Sequence, residues 1–224
     1  MTSTHVAIDP AILYFGTPVA LISTQDEDGV QNLAPISSIF WLGHRAVLGV
    51  AARSQTGLNL TGTRECVINL PDASLVDAVD RLALTTGRHP VSERKSGVGY
   101  RHVRDKFAHA GLTPLPSDTV APARVAECPV TMEGPVMRLH ELESDDPARA
   151  GGIVLAEVAV TRVHVHQELR MAGHPNRVDP LRWHPLLMSF QRFFGMGGEV
   201  SPSRLASIDE EWYRPGAPAR VLVQ

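Results

Sequence analysis

Cysteine is scarce in this 224-residue chain: Cys66 and Cys128 are the only two, and neither sits in a CxxC pair. A disulfide framework is thereby excluded, and two structural thiols in a reducing compartment are expected. Long apolar runs are also lacking, and none approaches the roughly 18 residues that suggest a bilayer span. The opening stretch MTSTHVAIDP has neither the basic segment nor the apolar run of a secretory signal, so a cytoplasmic protein is expected. Neither sign of charge dominates. With 21 basic and 24 acidic residues the formal net charge is −3, which gives no electrostatic reason to expect nucleic acid or a membrane surface as partner. Internal repeats and low-complexity tracts are absent too. What is present, 43% hydrophobic and 20% charged residues, is enough for a buried core in one domain spanning residues 1–224.

The hydrophobic pattern favours strands. PVALIST (18–24) is aliphatic and β-branched, as a buried strand requires. Asp28-Gly29 supplies the positive-φ position of a hairpin turn, and a second strand runs from Val30 to Trp41. The acids of DEDG (26–29) lack the spaced ligand ladder of a calcium loop. AVLGVA (46–51) and ECVINL (65–70) make two further strands. Between them RSQTGLNLTGT (53–63) reads as a short helix with Ser54 as N-cap, and SLVDAVDRLAL (74–84) has helical spacing of its apolar residues. Residues 87–122 are polar and broken by Gly and Pro, which predicts loop with a little helix near 100–108. Two long strands follow at 123–143 and 152–166, the first bent or bulged at Pro129 and Gly134, with a hairpin connection at 143–152. The expected fold is mainly β with α excursions: about six antiparallel strands in a small Greek-key-like barrel. The alternation of a doubly wound sheet is missing, and GVG (97–99) neither follows a strand nor completes a dinucleotide fingerprint.

Two stretches stand out chemically. In NLAPISSIFW (32–41), Pro35 and the adjacent hydroxyls of Ser37 and Ser38 interrupt an otherwise apolar strand. Adjacent strand residues point to opposite faces, so both serines cannot serve one core face. They either cap a strand end or, with a bulge near Pro35, turn N–H and hydroxyl groups toward a flat, polar-edged ligand. Some fifteen residues on, Arg53, Ser54, Thr56 and Asn59 gather at a helix start, either as an ordinary cap or as a seat for phosphate. A ring along the strand and a phosphate at the helix would together describe flavin mononucleotide (FMN).

The run from Tyr14 to Pro71 strongly resembles the flavin reductase-like family of FMN-binding split-barrel proteins. It carries N-x-A-P-x-S-S as Asn32 to Ser38, an S-x-T-x-x-N-L helix start from Ser54, and ECVINLP (65–71). The looser fragments KFAHAGLTPLP (106–116), ARVAECPVTMEGPV (123–136) and WHPLLMSF (183–190) extend the likeness, for a core of about 12–198 and a tail of 199–224. The resemblance implies a homodimeric split β-barrel with FMN near the subunit interface and NADH or NADPH as electron donor. Electrons would go on to a small-molecule acceptor or an oxygenase component. It places Asn32, Ala34, Pro35, Ser37 and Ser38 along the ring and ribityl chain. Arg53, Ser54, Gln55, Thr56 and Asn59 fall at the phosphate end. Thr17 would reach the ring edge, and Trp183 and His184 would lie near the flavin face. Many relatives carry Lys where this chain has Gln55, which leaves Arg53 as the chief cation of the phosphate seat. Direct hydride transfer needs no strong acid or base. The chain shows no catalytic dyad, and His184 is the only catalytic candidate.

Ten histidines raise the question of a metal. His164 and His166 form H-x-H on a strand beside Arg162, with Val163 and Val165 on the other face. Glu168 follows too closely for a cupin-type ligand motif, and His174 and His184 could join only through folding. The expected state of the histidine pair is a solvent-facing polar edge, with no metal assigned. Asp145-Asp146 and Glu210-Glu211 read as solvated acids, and Phe190, Phe193 and Phe194 as packing residues of the core or a subunit interface.

Overall fold

The computed structural model describes residues 4–214. Eight strands carry the main sheet: β1 (Ala20–Gln25), β2 (Gln31–Ile36), β3 (Ile39–Leu42), β4 (Arg45–Ala51), β5 (Glu65–Leu70), β6 (Val130–Leu142), β7 (Ile153–Ala159) and β8 (Arg162–Val165). Seven of them lie in the order β2-β1-β5-β6-β7-β4-β3, and β8 pairs with the first half of β6. All these pairings are antiparallel.

That order makes β2 and β3, neighbours in sequence, the two opposite edges of the sheet. Only Ser37 and Ser38 connect them. Three Cα–Cα steps of 3.8 Å hold Ile36 and Ile39 within about 11 Å, so the sheet must curl back on itself to bring its edges together. The architecture is therefore a curled antiparallel barrel, mainly β as expected. The single strand expected at 30–41 is two strands on opposite edges, and the break falls at the serines. Pro35 stays in register opposite Leu21 rather than forming a bulge. An edge strand tolerates the missing N–H of proline.

Both faces of β1 are buried. Ala20 and Ile22 point into the barrel with Leu48, Ile68, Ala156 and Val158. Val19 and Leu21 point outward into a second cluster with Val79, Leu82, Phe107 and Leu186. This explains why PVALIST reads as a continuous apolar run rather than an alternating one. The outer cluster is covered by α2 (Val76–Leu82) and α4 (Lys106–Ala110), while α3 (Glu93–Gly97) lies in the long connection between them. The helix expected at 74–84 is shorter, with a 3-10 turn at Ala73–Leu75 before it. Cys66 and Cys128 are free and buried, and burial pushes the Cys66 thiol up to about 12, so both are inert packing groups.

The strand expected at 123–143 divides into a short piece at Arg124–Val125 and β6, either side of Pro129. Its irregularity is a register shift between Val136 and Arg138 rather than at Gly134. Gly134 has another role: a Cβ there would sit 2.0 Å from the carbonyl oxygen of Ala159, where the backbone passes from β7 to β8. The segment after Arg182 forms a hairpin of Leu187–Ser189 and Arg192–Phe194, paired with Thr17–Pro18. Phe190 meets Phe15 edge to face at 4.7 Å, and Phe193 packs on the outer cluster. Of the 199–224 tail, residues 215–224 lie outside the described residues.

Candidate functional site

A cavity of about 440 Å³ opens where the barrel edges meet, within the size range of small-molecule and cofactor sites. One wall is the β2–β3 junction, with Ala34, Pro35, Ser37 and Ser38. The floor is the end of β4 and the start of α1 (Gln55–Gly62), with Ser54, Gln55 and Thr56. The two stretches singled out in the sequence thus face one space.

The helix start is built locally. Ser54 Oγ accepts from the Gly57 N–H at 3.0 Å and donates to the Ala51 carbonyl at 2.7 Å, fixing the turn from β4 into α1. Gly57 lets this turn close: a Cβ there would lie 2.5 Å from the Ala51 oxygen. A buried amide network then ties the helix to the β1–β2 hairpin. Asn32 Nδ2 donates to Thr56 Oγ1 at 3.0 Å, Asn59 Nδ2 to Thr24 Oγ1 at 3.0 Å, and Gln55 Nε2 to Asn59 Oδ1 at 2.8 Å. Asn32 Oδ1 is left buried with no partner. A buried polar atom without a partner is costly, and at a cavity wall it points to a ligand donor. Gly87 faces it: a Cβ at Gly87 would come within 2.5 Å of that oxygen.

No residue of the opposite wall is among the site candidates named from sequence. That wall comes from Leu82–Gly87 and from Lys95, Tyr100 and Lys106. Lys106 is 4% exposed, and among the described residues no carboxylate lies within ion-pair distance of it. Burial, with the nearby Lys95 charge adding to it, lowers its ammonium to about 8. The Lys95 ammonium stands over the Tyr100 ring, 5.3 Å from its centre. A buried cation without a counter-charge at the edge of a cavity favours an anionic ligand. The only sequence signal for Lys106 was the quoted fragment KFAHAGLTPLP; a helix of five residues has too few turns to show a periodicity.

The other candidates stand outside this lining. Arg53 lines an adjoining cavity. Asn59, 3% exposed, is spent on Thr24 and Gln55 and braces the helix rather than facing the cavity. Thr17 pairs with Met188, its Oγ1 buried and unpartnered. Trp183 packs against the barrel core, and His184 is exposed.

Of the histidine pair, His166 is exposed as expected. His164 departs from the solvent-facing edge: it is half-buried with Nε2 2.9 Å from Glu133 Oε1, and Val163 beside it is 52% exposed. Ligand atoms of Asp118, Glu133 and His164 lie within 4.8 Å of one another. Glu133 is nevertheless saturated. It accepts from the N–H groups of Asp118 and Thr119 and from the Thr119 hydroxyl, with Arg124 Nε at 3.5 Å. Burial raises its carboxyl, but these hydrogen bonds and His164 outweigh it and hold the group below its usual range. It anchors a loop onto the sheet.

Residues 12–197 match the family model of the flavin reductase like domain, and the chain belongs to that family. An uncharacterized protein of Bacillus subtilis, YdfE, is 38% identical over 195 residues, covering 86% of this chain and 90% of that one. Among solved structures, flavoredoxin of Desulfovibrio vulgaris (Miyazaki F) superposes with a TM-score of 0.72 at 18% identity, over 91% of this chain and 100% of that one. Component B of nitrilotriacetate monooxygenase from Bacillus cereus superposes with a TM-score of 0.70 at 19% identity, over 90% and 100%. No helix among the described residues is long and apolar enough to cross a membrane.

Proposed function

We propose that the protein is an NAD(P)H-dependent flavin oxidoreductase that holds FMN in the cavity at the barrel junction. When bound, the flavin supplies the redox chemistry, accepting a hydride at N5 from a reduced nicotinamide and yielding electrons to a second acceptor. The observation that carries this reading is the convergence of the Ser37–Ser38 junction and the α1 N-terminus on one cavity.

The donor set fits the group. Ser37 and Ser38 offer hydroxyls beside small residues, so a flat ring can approach the backbone there. The first turn of α1 offers free N–H groups and the positive end of its dipole to a phosphate, with Ser54, Gln55 and Thr56 around it. Lys95 and Lys106 supply the positive charge that Gln55 does not. The orphaned Asn32 Oδ1 accepts a hydrogen bond from the ligand. Thr17, Trp183 and His184 would take part only if a second copy of the chain brings them to the cavity, as in a homodimer. The acceptor is a small molecule or an oxygenase component, in keeping with the monooxygenase-component name of one structural neighbour. A cytoplasmic setting accords with the two buried, unpaired thiols.

Titration of the purified protein with FMN, followed by quenching of flavin fluorescence, tests the site. Anaerobic stopped-flow mixing with NADH or NADPH tests the activity. Tight binding and rapid bleaching are expected. Binding without bleaching by either nucleotide would leave an electron carrier rather than a reductase, and no binding would remove the proposal altogether.

A further inference from the structure

The arm that precedes the barrel is mostly uncovered. Leu13 and Phe15 are 72% and 71% exposed, so burial does not hold them in place. Tyr14 between them is fastened. It lines the cavity at the barrel junction, together with Ala34–Ser38 and the end of β4. A three-residue turn is centred on it, with the Phe15 N–H donating to the Leu13 carbonyl at 3.2 Å. Its own carbonyl accepts two hydrogen bonds from the tip of the 187–194 hairpin, from the Phe190 N–H at 2.8 Å and the Ser189 hydroxyl at 3.2 Å.

That tip is strained. Phe190 and Gln191 connect the two strands, and both have positive φ, 44° and 64°. Such a turn favours Asn and Gly, and a bulky side chain is disfavoured there. Strain of this kind persists where the surroundings impose it, and it gathers at functional sites. Here Phe190 supplies the N–H that fastens Tyr14 and a ring that meets Phe15 edge to face at 4.7 Å. An exposed arm, held by a strained turn so that one aromatic residue lines a cavity, is more than packing requires.

Tyr14 and Tyr100 are the two aromatic residues of the lining. The Tyr100 ring already carries the Lys95 ammonium. Among the described residues no cation or second ring stacks on Tyr14. A flat conjugated ligand gains from packing on such a ring. Resting on the flavin reading of this cavity, we propose that Tyr14 is a cofactor-contacting residue whose ring packs on the redox ring. Ser189 and Phe190 are positioning residues that act through it, and the hairpin tip is the latch that holds the arm in place.

FMN is titrated by calorimetry into the wild type, Tyr14→Ala and Tyr14→Phe, with the melting temperature of each ligand-free protein followed by circular dichroism. Tyr14→Ala should bind about tenfold more weakly, with little change in melting temperature because the side chain is 40% exposed. Tyr14→Phe keeps the ring and should stay within about twofold of the wild type. Emission of the bound flavin separates contact from support. A phenol against a flavin ring quenches its emission by electron transfer, whereas a phenyl ring does not. In a Tyr100→Phe background, which removes the other phenol of the lining, Tyr14→Phe should therefore brighten bound FMN. Ser189→Ala with Phe190→Gly loosens the latch while keeping Tyr14, and should weaken FMN about threefold or more.

Equal FMN affinity in the wild type and Tyr14→Ala overturns the proposal. So does affinity lost as fully in Tyr14→Phe as in Tyr14→Ala, or bound-flavin emission that Tyr14→Phe leaves unchanged. Full affinity in the Ser189, Phe190 variant overturns the latch. Failure of the wild type to bind FMN removes the flavin reading and this proposal with it, whereas wild-type binding that the variants leave untouched removes this proposal alone.

Discussion

Asn32 on β2 donates its side-chain amide to Thr56 Oγ1 on α1, 3.0 Å away and 24 residues later in the chain. This one bond joins the two walls of the candidate pocket, and the other atom of the same amide, Oδ1, faces the cavity without a partner. Structure and binding therefore converge on a single side chain.

Replacing it should disturb both. Asn32→Ala removes the link to Thr56 and leaves Thr24 with fewer donors. A loss of about 1–3 kcal/mol in urea unfolding is expected, together with weaker FMN binding. A variant of unchanged stability would show that the amide network does not brace the helix.

Gly87 tests the cradle from the other side. In Gly87→Ala the new methyl would meet Asn32 Oδ1 at 2.5 Å and Gln55 Cγ at 3.1 Å, and both residues are held by hydrogen bonds. Overpacking of this kind costs about 1–3 kcal/mol. The flavin titration should weaken in parallel, because the substitution pushes on two lining residues at once. Full affinity in Gly87→Ala would mean that Asn32 Oδ1 does not need to stay where it is.

Lys106 sets stability against binding. Its ammonium is lowered from the usual 10.5 to about 8 by burial first and by Lys95 second, a penalty on the charged form of roughly 3 kcal/mol. At pH 7 the lysine is charged in both folded and unfolded chains, so the folded ligand-free protein bears that penalty. Lys106→Met should raise the melting temperature of the ligand-free protein and weaken FMN binding. Between about pH 8 and 10.5 the folded wild type releases its proton while the unfolded chain keeps it. The wild type then gains stability with rising pH, and the gap to the variant closes. Binding of an anion favours the protonated lysine, so flavin affinity should be greatest below about pH 8 and decline above it. A flat profile across that range would separate Lys106 from the ligand.

Glu133 gives a slope of the same sign, but in the acid range. Its carboxyl is held below the usual range by backbone and hydroxyl donors and by His164, against the effect of burial. The stability it contributes is fully present above the unfolded carboxylate value and is lost as pH falls through the lower folded value. Glu133→Gln keeps the shape but sets an NH₂ group against N–H donors, which should cost about 2 kcal/mol or more at pH 7. The variant should also unfold with a shallower acid dependence than the wild type. Equal acid slopes for the two proteins would show that another group governs the transition.

Much of the barrel was legible because its signals are local. ECVINL is β5 to the residue, and RSQTGLNLTGT contains α1 with Ser54 as its cap. Ser37 and Ser38 were recognisable as a misfit, since polar pairs in an apolar strand break the two-residue period. What could not be read was that the break joins opposite edges of a sheet, because strand order depends on contacts among residues far apart in sequence. The register shift at Val136 escaped for the same reason: it belongs to a strand pair, not to either strand alone.

The candidate site divides along the same line. The sequence by itself determined the Ser37–Ser38 break and the Ser54-capped turn, because a polar interruption and a helix cap are set by side chains interacting with their own neighbouring backbone. Only the tertiary structure decided that Lys95, Lys106 and Gly87 complete the opposite wall, and that Asn59 braces rather than lines. It also showed His164 turning inward to Glu133, with Arg53 facing a second hollow. The physical reason is that burial and charge pairing belong to the space between elements. A lysine's partner, or its lack of one, exists only after the chain has folded around it.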